Sequence, residues 1–176
     1  MKGNPFKENE QMWQAQDLEN WYRHAKDYYE ANCSSSIEGV LGGIGWISDM
    51  DLSGSRAFLS QLDLPIKIDD NNDASSNSNG KSPSIACEVG AGIGRVTKGL
   101  LLDVCDRCDL VESSARLLSA APEYIGSAAS SKCRYYCSEL QDWQPSKKYT
   151  VVWIQWVLCY LTDADIVICL QRCGEV

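Results

Sequence analysis

The chain has 176 residues, 44% of them hydrophobic and 23% charged, and a net charge of −8. That length fits one domain, which on folding removes roughly two thirds of its unfolded surface from water, and the composition excludes wholesale disorder, collagen and coiled coil. The acidic balance repels nucleic-acid phosphate, so no nucleic-acid partner is expected; it fits cationic substrates, or solubility alone.

The opening residues, Met1 to Glu8, hold no apolar signal segment, and no window approaches the roughly 18 apolar residues of a membrane span. An intracellular protein without a membrane partner is the expectation. Nine dispersed cysteines are an odd number, which favours reduced thiols over a disulfide framework. Cys105-Asp106-Arg107-Cys108 is a lone CxxC and His24 is the single histidine. With no second ligand pair, no metal is expected.

From Gln11 to Glu30 the chain mixes aromatics and charges, and one helix ending near Ala31 is expected. Ile37-Glu38-Gly39-Val40-Leu41-Gly42-Gly43-Ile44-Gly45 reads as a glycine-rich loop suited to a binding lid. Ser53 or Ser55 is the expected cap of a helix through Leu62. The polar stretch from Asp69 to Gly80 buries too little apolar surface to offset chain entropy. The expected organisation is therefore an N-terminal helical and glycine-rich lid region at 1–64, a flexible insertion at 65–84, and a core at 85–176.

Within that core the pattern alternates strand and helix. Ile85–Val89, Cys108–Glu112, Cys133–Cys137 and Tyr149–Trp156 read as strands. Helices are expected over Ile93–Leu102, over Ala115–Ala121 ending before Pro122, and over Asp163–Cys173 with Thr162 as cap. Repeated βα units predict an α/β fold, a parallel sheet with helices on both faces.

The first strand runs straight into Gly90-Ala91-Gly92-Ile93-Gly94-Arg95. Glycines there let a ligand approach the backbone, and the helix that follows supplies oriented N–H donors. A dinucleotide fingerprint needs a third glycine where Arg95 stands, so the spacing is G-x-G-x-G. Glu112, 22 residues beyond Gly90, can accept from both hydroxyls of an adenosine ribose. Arg95 can pair with a carboxylate. Together these favour a methyl donor over a nicotinamide dinucleotide. A tight turn without a ligand is the alternative for the glycines.

The segments Gly39 to Gly45, Gly90 to Lys98, Leu140-Gln141-Asp142-Trp143 and Trp153-Ile154-Gln155-Trp156-Val157 resemble, in order and context, the α-N-terminal protein methyltransferases. That family methylates the free α-amine of proteins whose processed N-terminus reads X-Pro-Lys. The resemblance covers roughly Tyr22 onward and implies a Rossmann-like class I fold that uses S-adenosylmethionine, in the cytoplasm or nucleus. It assigns Gly90, Arg95, Glu112, Ser113, Ser114, Leu140, Gln141 and Gln155 to the cofactor, and Tyr28, Tyr29, Leu41, Gly42, Ile47 and Trp156 to the peptide groove. Taken without the resemblance, core packing is the favoured reading of Trp156 and of Tyr28 or Tyr29.

Two departures bear on turnover. Tyr160 stands where the family has a histidine, and a neutral phenol with a pKa of about 10 is a poor base. The resemblance also implies further strands, carrying an Asn and the catalytic Asp residues, beyond Val176; without them the expected sheet keeps an unpaired edge. Alternatives are a donor-binding module without turnover, a small-molecule methyltransferase and, last, a nicotinamide oxidoreductase.

Overall fold

The computed structural model describes residues 9–62, 64 and 82–174. Its centre is a four-stranded, fully parallel sheet of order β3-β2-β1-β4, with β1 Ile85–Val89, β2 Arg107–Glu112, β3 Cys133–Cys137 and β4 Val151–Ile154. The α/β expectation is met. β1 lies in the middle, with Glu88 opposite Leu110 on one side and Trp153 on the other.

Strand alternation divides the core into two layers. Ala86, Cys108 and Leu110 face a cluster with Leu59, Leu100, Leu101, Ala121 and Ile125, whereas Cys87, Val89 and Val111 face Leu140, Trp143, Leu161 and Cys169. The first layer is covered by α4 (Ser48–Leu59), by a helical stretch that includes the π turns Thr97–Leu101 and α5 (Leu102–Val104), and by α6 (Ala115–Ile125). The second is covered by α8 (Asp163–Gly174). Leu110 and Leu101 are fully buried, each contributing about 1.5–3 kcal/mol. Asp109, within β2, is buried and held by Lys147 Nζ at 2.6 Å and the Tyr149 hydroxyl at 3.0 Å.

Several boundaries differ from the sequence expectation, each for a local reason. The single N-terminal helix is two, α1 (Asn9–Gln14) and α2 (Leu18–Asp27), because Asp17 restarts the helix by accepting from Asn20 N at 3.2 Å. α2 then widens into a π turn over Tyr28–Asn32, closed by Cys33 N to Tyr28 O at 3.0 Å. The glycine segment begins as a short helix, α3 (Ile37–Val40), since Ser36 caps it through Gly39 N at 3.2 Å. Gly42 and Gly43 then turn with φ of 60° and 90°. Helix α4 begins at Ser48, so Ser53 and Ser55 are interior and cap nothing.

Helix α6 runs through Pro122 to Ile125. Its buried stripe Leu117, Leu118, Ala121 and Ile125 continues across the proline, which loses one backbone hydrogen bond, and Gly126 at φ 97° ends the helix. A short helix, α7 (Ser127–Ser130), leads into β3. Strand β4 stops at Ile154, two residues early, and Trp156 turns the chain with a φ of 62°. Thr162 caps α8 as expected, accepting from Asp165 N at 3.1 Å.

The N-terminal segment is docked over the carboxyl ends of the strands. Arg116 Nε donates to Glu30 O at 2.5 Å, and its Nη2 donates to Tyr29 O at 2.7 Å and to Cys33 O. At the other end Trp21 Nε1 donates to Tyr160 O at 2.8 Å, and the Tyr22 hydroxyl joins Asp165 and Thr162 N. The expected flexible insertion lies almost wholly outside the described residues. Among the described residues none of the nine cysteines is joined in a disulfide, and no helix is long and apolar enough to cross a membrane.

Candidate functional site

Beyond the carboxyl ends of β1, β2 and β4 lies a cavity of about 940 Å³, its open mouth included. This is where an open parallel sheet binds its ligands, beside the strand at which chain order reverses. The floor is the glycine loop. Gly90, Gly92 and Gly94 all have positive φ, at 75°, 55° and 80°. A β-carbon on Gly94 would lie 2.7 Å from Ile125 Cδ1, so the third glycine lets the loop pack tightly on α6.

Glu112, at the end of β2, organises that loop. Its Oε2 accepts from Gly92 N at 2.8 Å, while Oε1 accepts from Ser114 N at 2.8 Å and from the Ser113 hydroxyl at 3.3 Å. A carboxylate has about four acceptor positions, so one lone pair of Oε2 remains for a ligand hydroxyl, and rotation of Ser113 frees another. The carboxylate fixes the loop and still faces the cavity.

Glu88, where β1 enters the loop, is an acid to which the sequence alone assigns no role of its own. It is buried in β1 and lines the cavity. Burial pushes its carboxyl up to about 7, against the opposing pull of Thr97, whose N and Oγ1 both donate to Oε2, and of the Arg95 charge. One acid in an otherwise apolar strand was the available signal.

Of the residues assigned to the cofactor, Gly90, Arg95, Glu112, Ser113, Leu140, Gln141 and Gln155 line the cavity. Ser114 does not: it is fully buried, caps α6 through Leu117 N at 3.2 Å, and donates to Glu30 Oε2 at 2.6 Å. Of those assigned to the peptide groove, Tyr29, Leu41 and Trp156 line it, whereas Tyr28, Gly42 and Ile47 lie off its wall. Trp156 is 55% exposed, which sets aside core packing for that residue. Tyr28 is 44% exposed and stacks edge-on against Tyr29.

Tyr160 also lines the cavity, its hydroxyl 2.7 Å from that of Tyr29 and the two rings perpendicular. Burial raises the Tyr29 phenol well above its ordinary value, so Tyr29 stays protonated at neutral pH. α2 closes the roof with Tyr22, Ala25 and Lys26, and Lys26 pairs with Glu139 at 2.5 Å. Tyr22 and Lys26 carry no local signal of a site in the sequence, because the docking of α2 across the strand ends is what brings them to the wall.

Known proteins match this arrangement. The family model described as AdoMet dependent proline di-methyltransferase matches residues 17–176. N-terminal Xaa-Pro-Lys N-methyltransferase 1 of Xenopus tropicalis is 38% identical over 160 residues, 90% of this chain and 66% of its own length. Alpha N-terminal protein methyltransferase 1 of Arabidopsis thaliana is 35% identical over 182 residues, 97% of this chain and 63% of its own. The chain thus spans just under two thirds of these relatives. A solved SAM-dependent methyltransferase from Leishmania major superposes with a TM-score of 0.77 at 30% identity, over 97% of this chain and 65% of that one. The phosphoethanolamine N-methyltransferase 1 of Haemonchus contortus, at 18% identity and a TM-score of 0.59, shares the fold. With the model matching from Asp17 to the last residue and the parallel sheet superposing on a solved relative, the chain belongs to the AdoMet-dependent proline di-methyltransferase family.

Proposed function

We propose that the cavity binds S-adenosylmethionine and directs its methyl group to the free α-amine of proteins whose N-terminus reads X-Pro-Lys. The observation that carries this reading is a single cavity in which the glycine loop, Arg95 and Glu112 adjoin Tyr29, Leu41 and the exposed Trp156. The names of the relatives from Xenopus tropicalis and Arabidopsis thaliana support it.

The residues fit the donor. Positive φ along the loop leaves backbone accessible, Glu112 retains acceptor capacity for ribose hydroxyls, and Arg95 offers a guanidinium for the amino-acid carboxylate. Ser113, Leu140, Gln141 and Gln155 surround the remaining donor volume. The donor supplies an electrophilic methyl group on a sulfonium. The protein's part is alignment: an indole face such as that of Trp156 packs well on a proline ring, and in-line approach at about 3–3.5 Å supplies much of the acceleration. Tyr28, Gly42 and Ile47 belong to the outer groove in this reading.

The Tyr29–Tyr160 hydroxyl pair orients the amine but is a weak proton acceptor. An α-amine has a pKa of about 7.7–8.0, so a usable fraction is neutral near pH 7.5 without a protein base. Nine cysteines outside any disulfide fit a reducing compartment, the cytoplasm or nucleus.

Tyr160 favours a second reading, a donor-binding module that does not turn over. Two measurements separate the readings. Calorimetry with S-adenosylmethionine or S-adenosylhomocysteine tests the donor site, and mass spectrometry of Ser-Pro-Lys-Arg and Ser-Gln-Lys-Arg peptides tests the acceptor. Methylation of the first peptide alone supports the full proposal. Donor binding with neither peptide methylated selects the second reading, and no binding by a folded chain removes both.

A further inference from the structure

Asp51 sits one helical turn into α4 and is not part of the cavity wall, yet three residues of that wall converge on its carboxylate. Oδ2 accepts from Arg95 Nη2 at 2.7 Å. Oδ1 accepts from Gln155 Nε2 at 2.7 Å and from Trp156 Nε1 at 3.1 Å. The side chains of this ion pair are only 13% and 5% exposed, for Asp51 and Arg95 respectively, so the interaction is poorly screened by solvent.

The partners come from different elements and from both halves of the cavity. Arg95 closes the glycine loop on the donor side. Gln155 and Trp156 follow β4, and Trp156 forms the acceptor side. The Gln155 amide is oriented by Trp153 Nε1, which donates to its Oε1 at 2.8 Å, so its Nε2 is left facing Asp51. Trp156 holds a φ of 62°, which is uncommon for a bulky residue and persists only where its surroundings over-determine it. The indole bond to Asp51 is one such determinant.

Resting on the donor-site reading above, we propose that Asp51 is a positioning residue serving both half-sites, the counter-ion of Arg95 on one oxygen and the anchor of Trp156 and Gln155 on the other. The two roles have opposite consequences. A donor carboxylate meets an Arg95 that is already neutralised, so it adds hydrogen bonds, with Nη1 available beyond its marginal 3.5 Å contact to Ser48 Oγ, but relieves no bare charge. Removing the Asp51 charge leaves a buried guanidinium that a donor carboxylate would relieve, which tightens donor binding. The same change releases the Trp156 indole and loosens the acceptor side. A residue that only held the fold would weaken both sides together.

The test compares S-adenosylhomocysteine with 5′-methylthioadenosine, which lacks the amino-acid carboxylate. In calorimetry Asp51→Asn should raise affinity for the first roughly fivefold or more and leave the second within about twofold. In proton–nitrogen correlation spectra the Trp156 indole N–H resonance, identified by its loss in Trp156→Phe, should move upfield as its carboxylate acceptor is removed. A cooperative melt certifies the fold of the variant, and Asp51→Ser is the second variant. The unaltered chain gives an independent measurement: S-adenosylhomocysteine should shift the Trp156 indole resonance and 5′-methylthioadenosine should leave it in place.

Equal weakening of both ligands, an unchanged affinity ratio, or a Trp156 resonance indifferent to both Asp51 and the ligand carboxylate overturns the inference. Failure of the unaltered, folded chain to bind either ligand overturns the donor-site reading itself, and the Arg95 role with it. Binding of both with an unchanged ratio in the variant overturns the role of Asp51 alone.

Discussion

A β-carbon on Gly90 would stand 2.8 Å from the Val157 side chain, nearer than real contacts allow, so the first glycine of the loop and the residue after Trp156 define each other's positions. Gly90 also has a φ of 75°, in the region that side chains disfavour. Gly90→Ala therefore combines backbone strain with a clash at the junction of the donor and acceptor sides. We expect a stability loss of about 1–3 kcal/mol and at least tenfold weaker S-adenosylhomocysteine binding. Paired thermal melts and calorimetry check both; unchanged binding would show that the loop does not touch the donor.

The Arg116 guanidinium gathers carbonyls from the end of the π turn, so α6 holds the roof of the cavity in place. It bonds Glu30 O, Tyr29 O and Cys33 O and also reaches Ser35 Oγ at 2.7 Å. Arg116→Ala removes these charge-assisted bonds from carbonyls at a helix end, at a cost of roughly 2–3 kcal/mol of local docking free energy. Amide hydrogen exchange should accelerate by a factor of about 30 or more across α2 and the π turn, with the sheet unaffected. Uniform acceleration throughout would mean that Arg116 supports the whole fold and not the roof.

Glu88 gives the protein a pH-dependent term of defined sign. Its carboxyl is raised from 4.5 to about 7 in the folded state, chiefly by burial, so the protonated acid is the form the fold prefers. The associated stability is fully present below about pH 4.5 and is lost as pH rises through 7. Its size is at most roughly 3 kcal/mol, from 1.36 kcal/mol per pKa unit. Glu88→Gln keeps an acceptor for Thr97 and removes the titration. Denaturant melts between pH 4.5 and 8 should show a smaller decline with rising pH in the variant than in the parent chain, and parallel curves would exclude Glu88 as the source.

What the sequence disclosed follows the range of the forces involved. The parallel sheet is readable because short strand-like segments, apolar in β1 and β4, alternate with helical ones, and the loop because Gly90, Gly92 and Gly94 need special φ. Those are local properties. The helix through Pro122 was missed because the buried stripe from Leu117 to Ile125 outweighs one lost hydrogen bond, a tertiary effect. The resemblance assigns Ser114 to the cofactor, and packing alone shows that its hydroxyl is committed to Leu117 N and Glu30. Asp51 carried no local mark, since only the packing of α4 against the strand ends brings it to Arg95, Gln155 and Trp156.

The acceptor amine must lose a proton before it can attack the methyl group. Tyr29 and Tyr160 share a hydroxyl hydrogen bond of 2.7 Å at the cavity wall, and burial keeps Tyr29 protonated at neutral pH. With phenols in this position the reactive fraction of amine is set by its own pKa near 7.7–8.0, so the rate should climb with pH through that range and then level. Tyr160→His introduces a group with an ordinary pKa of about 6.5 that accepts a proton at neutral pH. The variant should raise methylation of Ser-Pro-Lys-Arg at pH 7 by on the order of tenfold to a hundredfold and shift the rising limb of the pH–rate profile downward by about one unit. Tyr29→Phe, which removes the shared hydrogen bond but no base, should leave the position of that limb unchanged while raising KM. A rising limb that stays near pH 8 in Tyr160→His would show that residue 160 does not reach the amine, and would move the search for the proton acceptor to other groups on the cavity wall.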